Sequence, residues 1–440
     1  MSFRRTSNYL FAVGFKNLHL IVLVSLAGLL FGCTSFGRGV AEAVLDDKTE
    51  DTRVCHAEGP PSKGLNSFLA AQEVAKREGN VERPLKILMI HGIGKHLPGY
   101  SGRLTNNLIE ALGLDVRDLR TKSITLRDPE FGEKDIGLLT ISRFTNKQKS
   151  RTVLIYELTW SSITDKEKKI IAFDDTVEHN FRRASLNATL KEFFNSHVSD
   201  TLIYHGEPRK KILSSVEQSF CWMSSSDWES HEKTATKTCD TQSMARQKKI
   251  LNEDYVVISH SLGSRIVIDT VTYFSDLGHR QRAVSNTIQG DFSNISLRLY
   301  MLANQLPLLE LGRERAPVRG EVSSYCSPAG ENYEKKFLNK FPIYAFSDPN
   351  DILSYSIPPQ FANEYLDSRL CPEITNVTIN VTQPISLLGF GTFARPDQAH
   401  GNYDNDDRVI AMIANGIGTD QASPIVQEKC TWLETIDSDE

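Results

Sequence analysis

The feature that most constrains the fold is a short apolar run at residues 255–258 that leads through a turn of small residues into a long apolar stretch. The turn reads SHSLG over residues 259–263, and apolar residues follow it at helical spacing as far as about Leu277. A short apolar run bounded by small residues is typical of a strand buried on both faces of a parallel sheet. We therefore predict a buried strand, a sharp turn and a buried helix here.

The same pattern occurs earlier in the chain. The run LKILMI at residues 85–90 leads into HGIG at 91–94, and residues 101–112 have the apolar spacing of a helix. Strands that alternate with helices predict an α/β fold, with a mostly parallel sheet flanked by helices, over residues 81–430. Residues 165–250 are charged and helical in period, which predicts a helical insertion before the strand at 255. Further strands are predicted at 136–143, 152–160, 297–302, 342–346 and 374–381.

Composition narrows the class of protein. The chain has 440 residues, 24% of them charged and 40% hydrophobic, with a formal net charge of −5. This balance is that of a globular protein and excludes a disordered or collagen-like chain. The length suits either two or three domains or one large α/β domain with insertions. The net negative charge argues against a nucleic-acid partner, which needs a basic surface.

The N-terminus has the features of an export signal. Three basic residues precede an apolar run of 12 residues at 20–31, which is too short to cross a bilayer comfortably and has the length of a secretory core. The run ends in LFGC at residues 30–33, and this tetrapeptide resembles a bacterial lipobox. The resemblance implies a signal peptide at 1–32 and a lipid on Cys33, so that the membrane is a partner. A plain signal peptide or signal anchor is the alternative.

The residue after Cys33 bears on location. In lipoproteins of this kind an Asp at that position favours the inner membrane, whereas Thr34 favours the outer membrane of the cell envelope. Residues 33–80 contain an acidic cluster and a Gly-Pro-Pro sequence, which predict a lipidated cysteine followed by a tether.

Cysteine usage also indicates export. Setting Cys33 aside leaves six cysteines, an even number that fits three disulfides in an oxidising compartment. Six cysteines allow 15 connectivities. Our predicted pairs are Cys221–Cys239, Cys326–Cys371 and Cys55–Cys430.

Ser261 is the candidate nucleophile. It lies in the turn between a predicted buried strand and a buried helix, where small neighbours allow the strained geometry of a G-x-S-x-G elbow. Ser259 replaces the first glycine of that pattern, and it is small enough to keep the turn feasible. The alternative is an ordinary buried turn serine.

Together, ILMIHGIG (87–94) and VVISHSLGS (256–264) resemble the oxyanion turn and nucleophile elbow of the α/β-hydrolase superfamily, in particular its lipases and esterases. The resemblance covers roughly residues 84–416. It implies an oxyanion hole formed by the backbone N–H groups of Ile93 and Leu262. His91 is expected to buttress the turn, and His260 to pack away from the substrate.

The family order of nucleophile, acid and histidine points to two later loops. His400 lies in QAHGNY (398–403), beyond the last predicted strands, which is the position of the catalytic base; as a single residue it would more often be a surface histidine. The strand at 342–346 leads into DPND (348–351), where Asp351 matches the position of the acid and Asp348 is the alternative. Both aspartates also fit simple turn chemistry.

These residues predict a membrane-anchored serine hydrolase that cleaves a lipid or acyl ester through an acyl-enzyme. Two alternatives remain: a non-catalytic binding or scaffold lipoprotein, and a serine peptidase, amidase or acyltransferase. No cofactor or metal is expected, because the sequence has no HExxH motif or P-loop, and the pair Gly92 and Gly94 lacks the third glycine of a dinucleotide fingerprint.

The insertion at 165–250 is where such enzymes carry a lid. An aromatic cluster around Cys221, comprising Phe220, Trp222 and Trp228 with Met223, predicts either a small core within the insertion or a lipid-facing surface.

Overall fold

The structure is a computed structural model of the full chain, and it describes residues 53–80, 83–132, 134–176, 183–225, 227–240, 254–284, 292–386 and 392–434. The predicted signal peptide, Cys33 and Thr34 lie outside the described residues, as do residues 241–250 of the predicted insertion.

An 11-stranded, mostly parallel sheet organises the protein, and its strand order is β13-β1-β10-β9-β8-β7-β2-β5-β4-β3-β6. The six strands from β10 to β5 run parallel to one another, whereas β4 and β3 form antiparallel pairs beside β5. Strands β11 and β12 form a separate antiparallel pair. The strands are β1 (Cys55–Glu58), β2 (Leu85–Ile90), β3 (Asp115–Arg127), β4 (Asp135–Thr145), β5 (Thr152–Thr159), β6 (Thr234–Lys237), β7 (Asp254–His260), β8 (Leu297–Leu302), β9 (Phe341–Ser347), β10 (Pro372–Ile379), β11 (Ile385–Ser386), β12 (Thr392–Phe393) and β13 (Cys430–Leu433).

Helices cover both faces of this sheet. The described helices are α1 (Asn66–Arg77), α2 (Gly102–Ala111), α3 (Asp165–Ala172), α4 (Ser185–Phe193), α5 (Ser199–Tyr204), α6 (Arg209–Ser225), α7 (Leu262–Val284), α8 (Leu306–Glu310), α9 (Val322–Cys326), α10 (Phe361–Tyr365), α11 (Pro396–Gly401), α12 (Asp407–Asn415) and α13 (Pro424–Lys429). A π-helical turn, Phe194–Val198, joins α4 to α5.

Burial explains why β2 is apolar along its whole length. Leu88 and Ile90 belong to one core, which α6, α7 and α8 cover, while Leu85, Ile87 and Met89 belong to a second core under α1, α2 and α12. Successive side chains of a strand point to opposite faces, so a strand covered on both faces needs apolar residues at nearly every position. The predicted α/β architecture is therefore confirmed at the level of a mostly parallel sheet flanked by helices.

Every predicted strand is present, and no end differs from the prediction by more than two residues. The sequence reasoning missed four strands of the main sheet, β1, β3, β6 and β13, which lie toward its two edges and carry many polar residues. It also missed the short pair β11 and β12. The helix after Ser261 continues past the predicted end near Leu277 to Val284.

The tether predicted for residues 33–80 is too long. Strand β1 pairs with β10 and β13 inside the main sheet. Helix α1 buries Leu69 in the second core. The folded region therefore includes β1 and α1. The sequence did not indicate this, because the few apolar residues of these two elements are flanked by polar residues.

The insertion is helical over most of its described part, as predicted, but it also supplies β6, which pairs with β3 at the sheet edge. Helix α6 packs directly on the sheet through Ile212, Val216 and Met223. The aromatic cluster joins that same core: Trp228 is buried, and Phe220 and Trp222 pack against it. The cluster therefore belongs to the main core of the protein, not to a separate core or a lipid-facing surface.

All three predicted disulfides are confirmed: Cys55–Cys430, Cys221–Cys239 and Cys326–Cys371. The first joins β1 to β13 across 375 residues of sequence, and so ties the two ends of the described chain together.

Candidate active site

Ser261 lies in a strained turn between β7 and α7. Its φ is +56°, a left-handed conformation that is uncommon for a residue with a side chain. Its N–H donates to Leu302 O at 2.9 Å, and its carbonyl accepts the N–H of Ser264 at 3.0 Å, which holds the turn at both ends. The residue is buried, yet its Oγ has no hydrogen-bond partner among the described residues. Strain together with an unpaired polar atom is a pattern that marks functional sites.

Small residues make this turn possible. A Cβ on Gly263 would lie 2.6 Å from Ile90 O, so only glycine lets α7 start this close to the end of β2. Ser259 replaces the first glycine of the elbow pattern, and its Oγ donates to Tyr300 O at 3.3 Å in a buried position. Its hydroxyl is therefore satisfied within the sheet.

His400 and Asp351 come together from two segments: Asp351 lies in the loop that follows β9, and His400 lies in helix α11, which follows β12. His400 Nδ1 lies 2.8 Å from Asp351 Oδ2. Because an ionised carboxylate only accepts hydrogen bonds, Nδ1 carries the proton and Nε2 presents its lone pair. His400 Nε2 is buried and has no partner in the described part of the chain. The arrangement leaves one imidazole nitrogen available to act as a base.

The Asp351 carboxylate is suited to orienting His400. Burial favours a higher pKa for this carboxyl, but the hydrogen bond and charge of His400 outweigh it and keep the pKa below its ordinary value. Oδ1 accepts the N–H of Leu353 at 3.0 Å, which fixes the carboxylate in place.

Asp348 has a different role in the same loop. Its Oδ1 accepts the N–H of Asn350 and its Oδ2 accepts the N–H of Val381, each at 2.7 Å. Burial raises the pKa of Asp348 above its ordinary value. It therefore ties the loop to the end of β10, and Asp351 is the aspartate that contacts His400.

His260, next to Ser261, contacts His400 directly. Its Nε2 donates to His400 O at 2.9 Å, and the two rings lie 5.0 Å apart in an edge-to-face arrangement. Burial, reinforced by the charge of His400, lowers the pKa of His260 to about 3, so this imidazole is neutral at pH 7. His260 therefore also helps to position helix α11, which carries His400.

The turn after β2 presents a backbone donor beside Ser261. His91 is buried, its Nε2 accepts the N–H of Trp160 at 3.1 Å, and its Nδ1 therefore carries the proton that is donated to Gly92 O at 2.9 Å. The two ends of a trans peptide point in opposite directions, so holding Gly92 O directs the N–H of Ile93 to the other side. His91 thus buttresses the turn as expected.

The two predicted oxyanion donors are the backbone N–H groups of Ile93 and Leu262. Among the described residues, no acceptor takes the N–H of Ile93 or of Leu262. Leu262 is also the first residue of α7, where backbone N–H groups carry the positive end of the helix dipole. Free amides at such a position are suited to a developing negative charge.

Two residues at the site were not foreseen. His197 and Asp200, on the insertion, both contact Gly94 of the turn after β2. Their sequence surroundings are those of an ordinary charged helix, so no local signal separates them from surface residues.

Within the residues that the structure describes, no helix is long and apolar enough to cross a membrane. The same part of the chain contains no group of three or more His, Cys, Asp or Glu side chains arranged to hold a metal ion. The chain matches no protein-family model, and comparison with curated proteins and with solved structures finds no match either.

Proposed function

We propose that this protein is a serine hydrolase of the α/β-hydrolase type that cleaves carboxylic esters, with Ser261 as nucleophile, His400 as base and Asp351 as acid. The observation that carries the proposal is the state of three side chains. Among the described residues, Ser261 Oγ and His400 Nε2 are buried without hydrogen-bond partners, while His400 Nδ1 is held by Asp351 at 2.8 Å. A purely structural site has no reason to leave both the hydroxyl and the imidazole nitrogen unsatisfied.

Acylation would begin with transfer of the Ser261 Oγ proton to His400 Nε2 as Oγ attacks the ester carbonyl carbon. The carbonyl π electrons move onto oxygen, and the N–H groups of Ile93 and Leu262 stabilise that oxyanion. Collapse of the intermediate breaks the C–O bond, and the leaving alcohol takes the proton from His400. Asp351 stabilises the imidazolium formed in between.

Deacylation repeats the same steps with water. His400 takes a proton from water, the hydroxide equivalent attacks the acyl-enzyme, and the second oxyanion uses the same two amides. Return of the proton to Ser261 Oγ releases the carboxylic acid. Such a cycle needs only these side chains and the two backbone donors.

The assignment to the α/β-hydrolase type is supported by where these residues lie. The nucleophile follows a central parallel strand and precedes a buried helix, the oxyanion turn follows the neighbouring strand β2, and the chain order is serine, aspartate, histidine.

A lipid or acyl ester is the favoured substrate class. Helices α3 and α5 of the insertion carry or adjoin exposed apolar side chains, including Ile170 (74% exposed), Phe173 (67%) and Leu202 (62%). A predicted lipid on Cys33 would hold the enzyme, as a lipoprotein of the bacterial outer membrane, next to such substrates.

Fluorophosphonate labelling with intact-mass detection tests the proposal. A 34–440 chain with its disulfides intact should gain one adduct, and Ser261→Ala should gain none. Ser264→Ala, one turn further along α7, is the matched control and should label like the wild type.

Labelling that survives Ser261→Ala would contradict the proposal. Failure of the folded wild type to label, both in buffer and with detergent micelles, would also contradict it and would favour a non-catalytic binding lipoprotein. If labelling succeeds, hydrolysis of matched ester and amide substrates separates an esterase from a peptidase or amidase.

A further inference from the structure

The insertion touches the oxyanion turn through one buried carboxylate. Asp200, at the start of α5, is fully buried, and its Oδ2 accepts the N–H of Gly94 at 2.7 Å. Its countercharge is Lys168 of α3, whose Nζ lies 2.7 Å from Oδ1. Removing a partner from a buried carboxylate is strongly destabilising, because the buried charge then lacks compensation. The contacts of Asp200 with Lys168 and Gly94 should therefore be maintained in the folded protein.

The peptide between Ile93 and Gly94 is held at both ends. While Asp200 accepts the N–H of Gly94, the carbonyl of Ile93 accepts a hydrogen bond from His96 Nε2 at 3.1 Å. A trans peptide is planar, so two hydrogen bonds on opposite edges fix its rotation. With His91 holding the preceding peptide, the orientation of the Ile93 N–H is determined on both sides.

The same insertion segment also covers this turn. Gly94 has a φ of +97°, and a Cβ there would lie 2.6 Å from Cδ2 of His197. His197 belongs to the π-helical turn Phe194–Val198, two residues before α5. A single π-helical turn often occurs at functional sites, since it displaces side chains from their helical positions. Here it brings the His197 ring over Gly94 and leads directly to Asp200.

We propose that Asp200 is a positioning residue for the oxyanion hole: its carboxylate, neutralised by Lys168, fixes the turn that presents the Ile93 N–H to the substrate. This inference rests on the proposed function and extends it. It makes the insertion part of the catalytic apparatus, because any movement that withdraws α5 from the turn also releases the oxyanion donor.

The test compares three variants for kcat and KM with a water-soluble p-nitrophenyl ester. Asp200→Ala removes the acceptor, and we expect kcat to fall about 10- to 100-fold, somewhat less than loss of an oxyanion donor itself, with KM changed less than twofold. Asp200→Asn combined with Lys168→Gln keeps an acceptor for the Gly94 N–H without buried charge, and should recover most of kcat. A merely structural role would not separate kcat from KM or respond to this rescue.

Asp174→Asn is the matched control. Asp174 forms ion pairs with Arg183 and Lys191 within the same insertion and contacts no residue of the oxyanion turn, so kcat should be unchanged. If Asp200→Ala does not fold, Asp200→Glu replaces it, because the extra methylene moves the carboxylate relative to Gly94 while keeping its charge.

Fluorophosphonate labelling of the same proteins distinguishes failure of the proposed role of Asp200 from failure of the proposed function. A wild type that labels at Ser261, with Asp200→Ala as active as Asp174→Asn, would overturn the role of Asp200 and leave the proposed function intact. A double variant no better than Asp200→Ala would also overturn it. A wild type that does not label in buffer or micelles would overturn both proposals.

Discussion

Gly92 and Ser261 are in direct contact across the two turns of the site. A Cβ added to Gly92 would lie 2.5 Å from the Cβ of Ser261 and 2.8 Å from His260 O. Neither position has room to move, because Ser261 is held by Leu302 and Gly92 by His91. The turn after β2 and the turn that carries Ser261 therefore form one packed unit, and position 92 has room only for glycine.

Gly92→Ala should consequently damage the site more than any ordinary glycine substitution. We expect a loss of about 1–3 kcal/mol in the free energy of unfolding, as for other overpacked positions, and loss of fluorophosphonate labelling as the turn shifts. Thermal unfolding and intact mass measure the two effects. Gly102→Ala, where an added Cβ meets no atom within 4 Å, is the control and should change neither. Equal behaviour of the two variants would contradict the contact.

The two aspartates of the loop after β9 should behave differently. Asp351→Asn leaves His400 without a carboxylate to orient it and stabilise its charge, and kcat should fall about 10⁴-fold, as for loss of the acid in serine-protease triads. Asp348→Asn should lower the melting temperature and change kcat much less, because the Asp348 carboxylate accepts hydrogen bonds from the backbone N–H groups of Asn350 and Val381 and from the Asn350 side chain. Steady-state kinetics on both variants measure the two changes in kcat. A larger fall in kcat for Asp348→Asn than for Asp351→Asn would make Asp348 the acid.

The central part of the candidate site was predictable because it follows from local patterns. Ser261, Gly92 and Gly263 lie in turns between apolar runs, and apolar runs of that kind report burial on both faces of a sheet. The loops of His400 and Asp351 were found from the family order of serine, acid and histidine, and Asp348 remained an alternative. Only the contact between Asp351 and His400 separates the two aspartates, since both fit the turn equally well.

The role of Asp200, by contrast, could not be predicted from the sequence. Asp200 and Gly94, which its carboxylate contacts, are separated by 106 positions in the sequence. In the sequence, Asp200 and Lys168 also cannot be distinguished from two charged residues on the surface of helices, although they form a buried ion pair. Strand β1, which lies between β13 and β10, was missed for a related reason. Its four residues gain their stability from pairing with β10 and β13, and only the disulfide prediction Cys55–Cys430 hinted that this segment joins the fold.

His260 should make the protein sensitive to acid. Burial, together with the charge of His400, lowers its pKa from 6.5 to about 3, so the unfolded chain binds a proton between these values that the folded chain does not. The contribution of His260 to the free energy of unfolding is therefore fully present above pH 6.5. It is lost as the pH falls toward 3, with a slope of at most about 1.4 kcal/mol per pH unit.

The variant His260→Gln isolates that contribution, because glutamine keeps a donor for His400 O and does not titrate. We expect its unfolding free energy to fall less than that of the wild type between pH 6.5 and pH 4. Burial is the main cause of the lowered pKa values of His91 and His96, so both histidines should keep a lowered pKa in the variant. Denaturant titrations at several pH values measure the difference. Parallel curves would show that His260 does not carry a lowered pKa.

The disulfide Cys55–Cys430 should be the most important for stability. It closes a loop of 375 residues, whereas Cys221–Cys239 closes one of 18, and a cross-link across a longer loop removes more entropy from the unfolded chain. Replacing both cysteines of the first pair by alanine should cost about 2–5 kcal/mol. The matched Cys221→Ala, Cys239→Ala variant should cost less, as measured by denaturant unfolding. The opposite ranking would show that native-state packing, not loop closure, dominates at these sites.

The lipid predicted on Cys33 can be tested independently of catalysis. A single acyl chain binds membranes weakly and reversibly, whereas two or more chains give stable attachment, so a lipidated protein should remain in the membrane fraction after a high-salt wash. Full-length Cys33→Ser should lose both that retention and the incorporation of a labelled palmitate analogue. Its rate on a soluble ester should equal that of the wild type in detergent, since Cys33 precedes the described fold by 20 residues. Retention of the label in Cys33→Ser would rule out Cys33 as the attachment site.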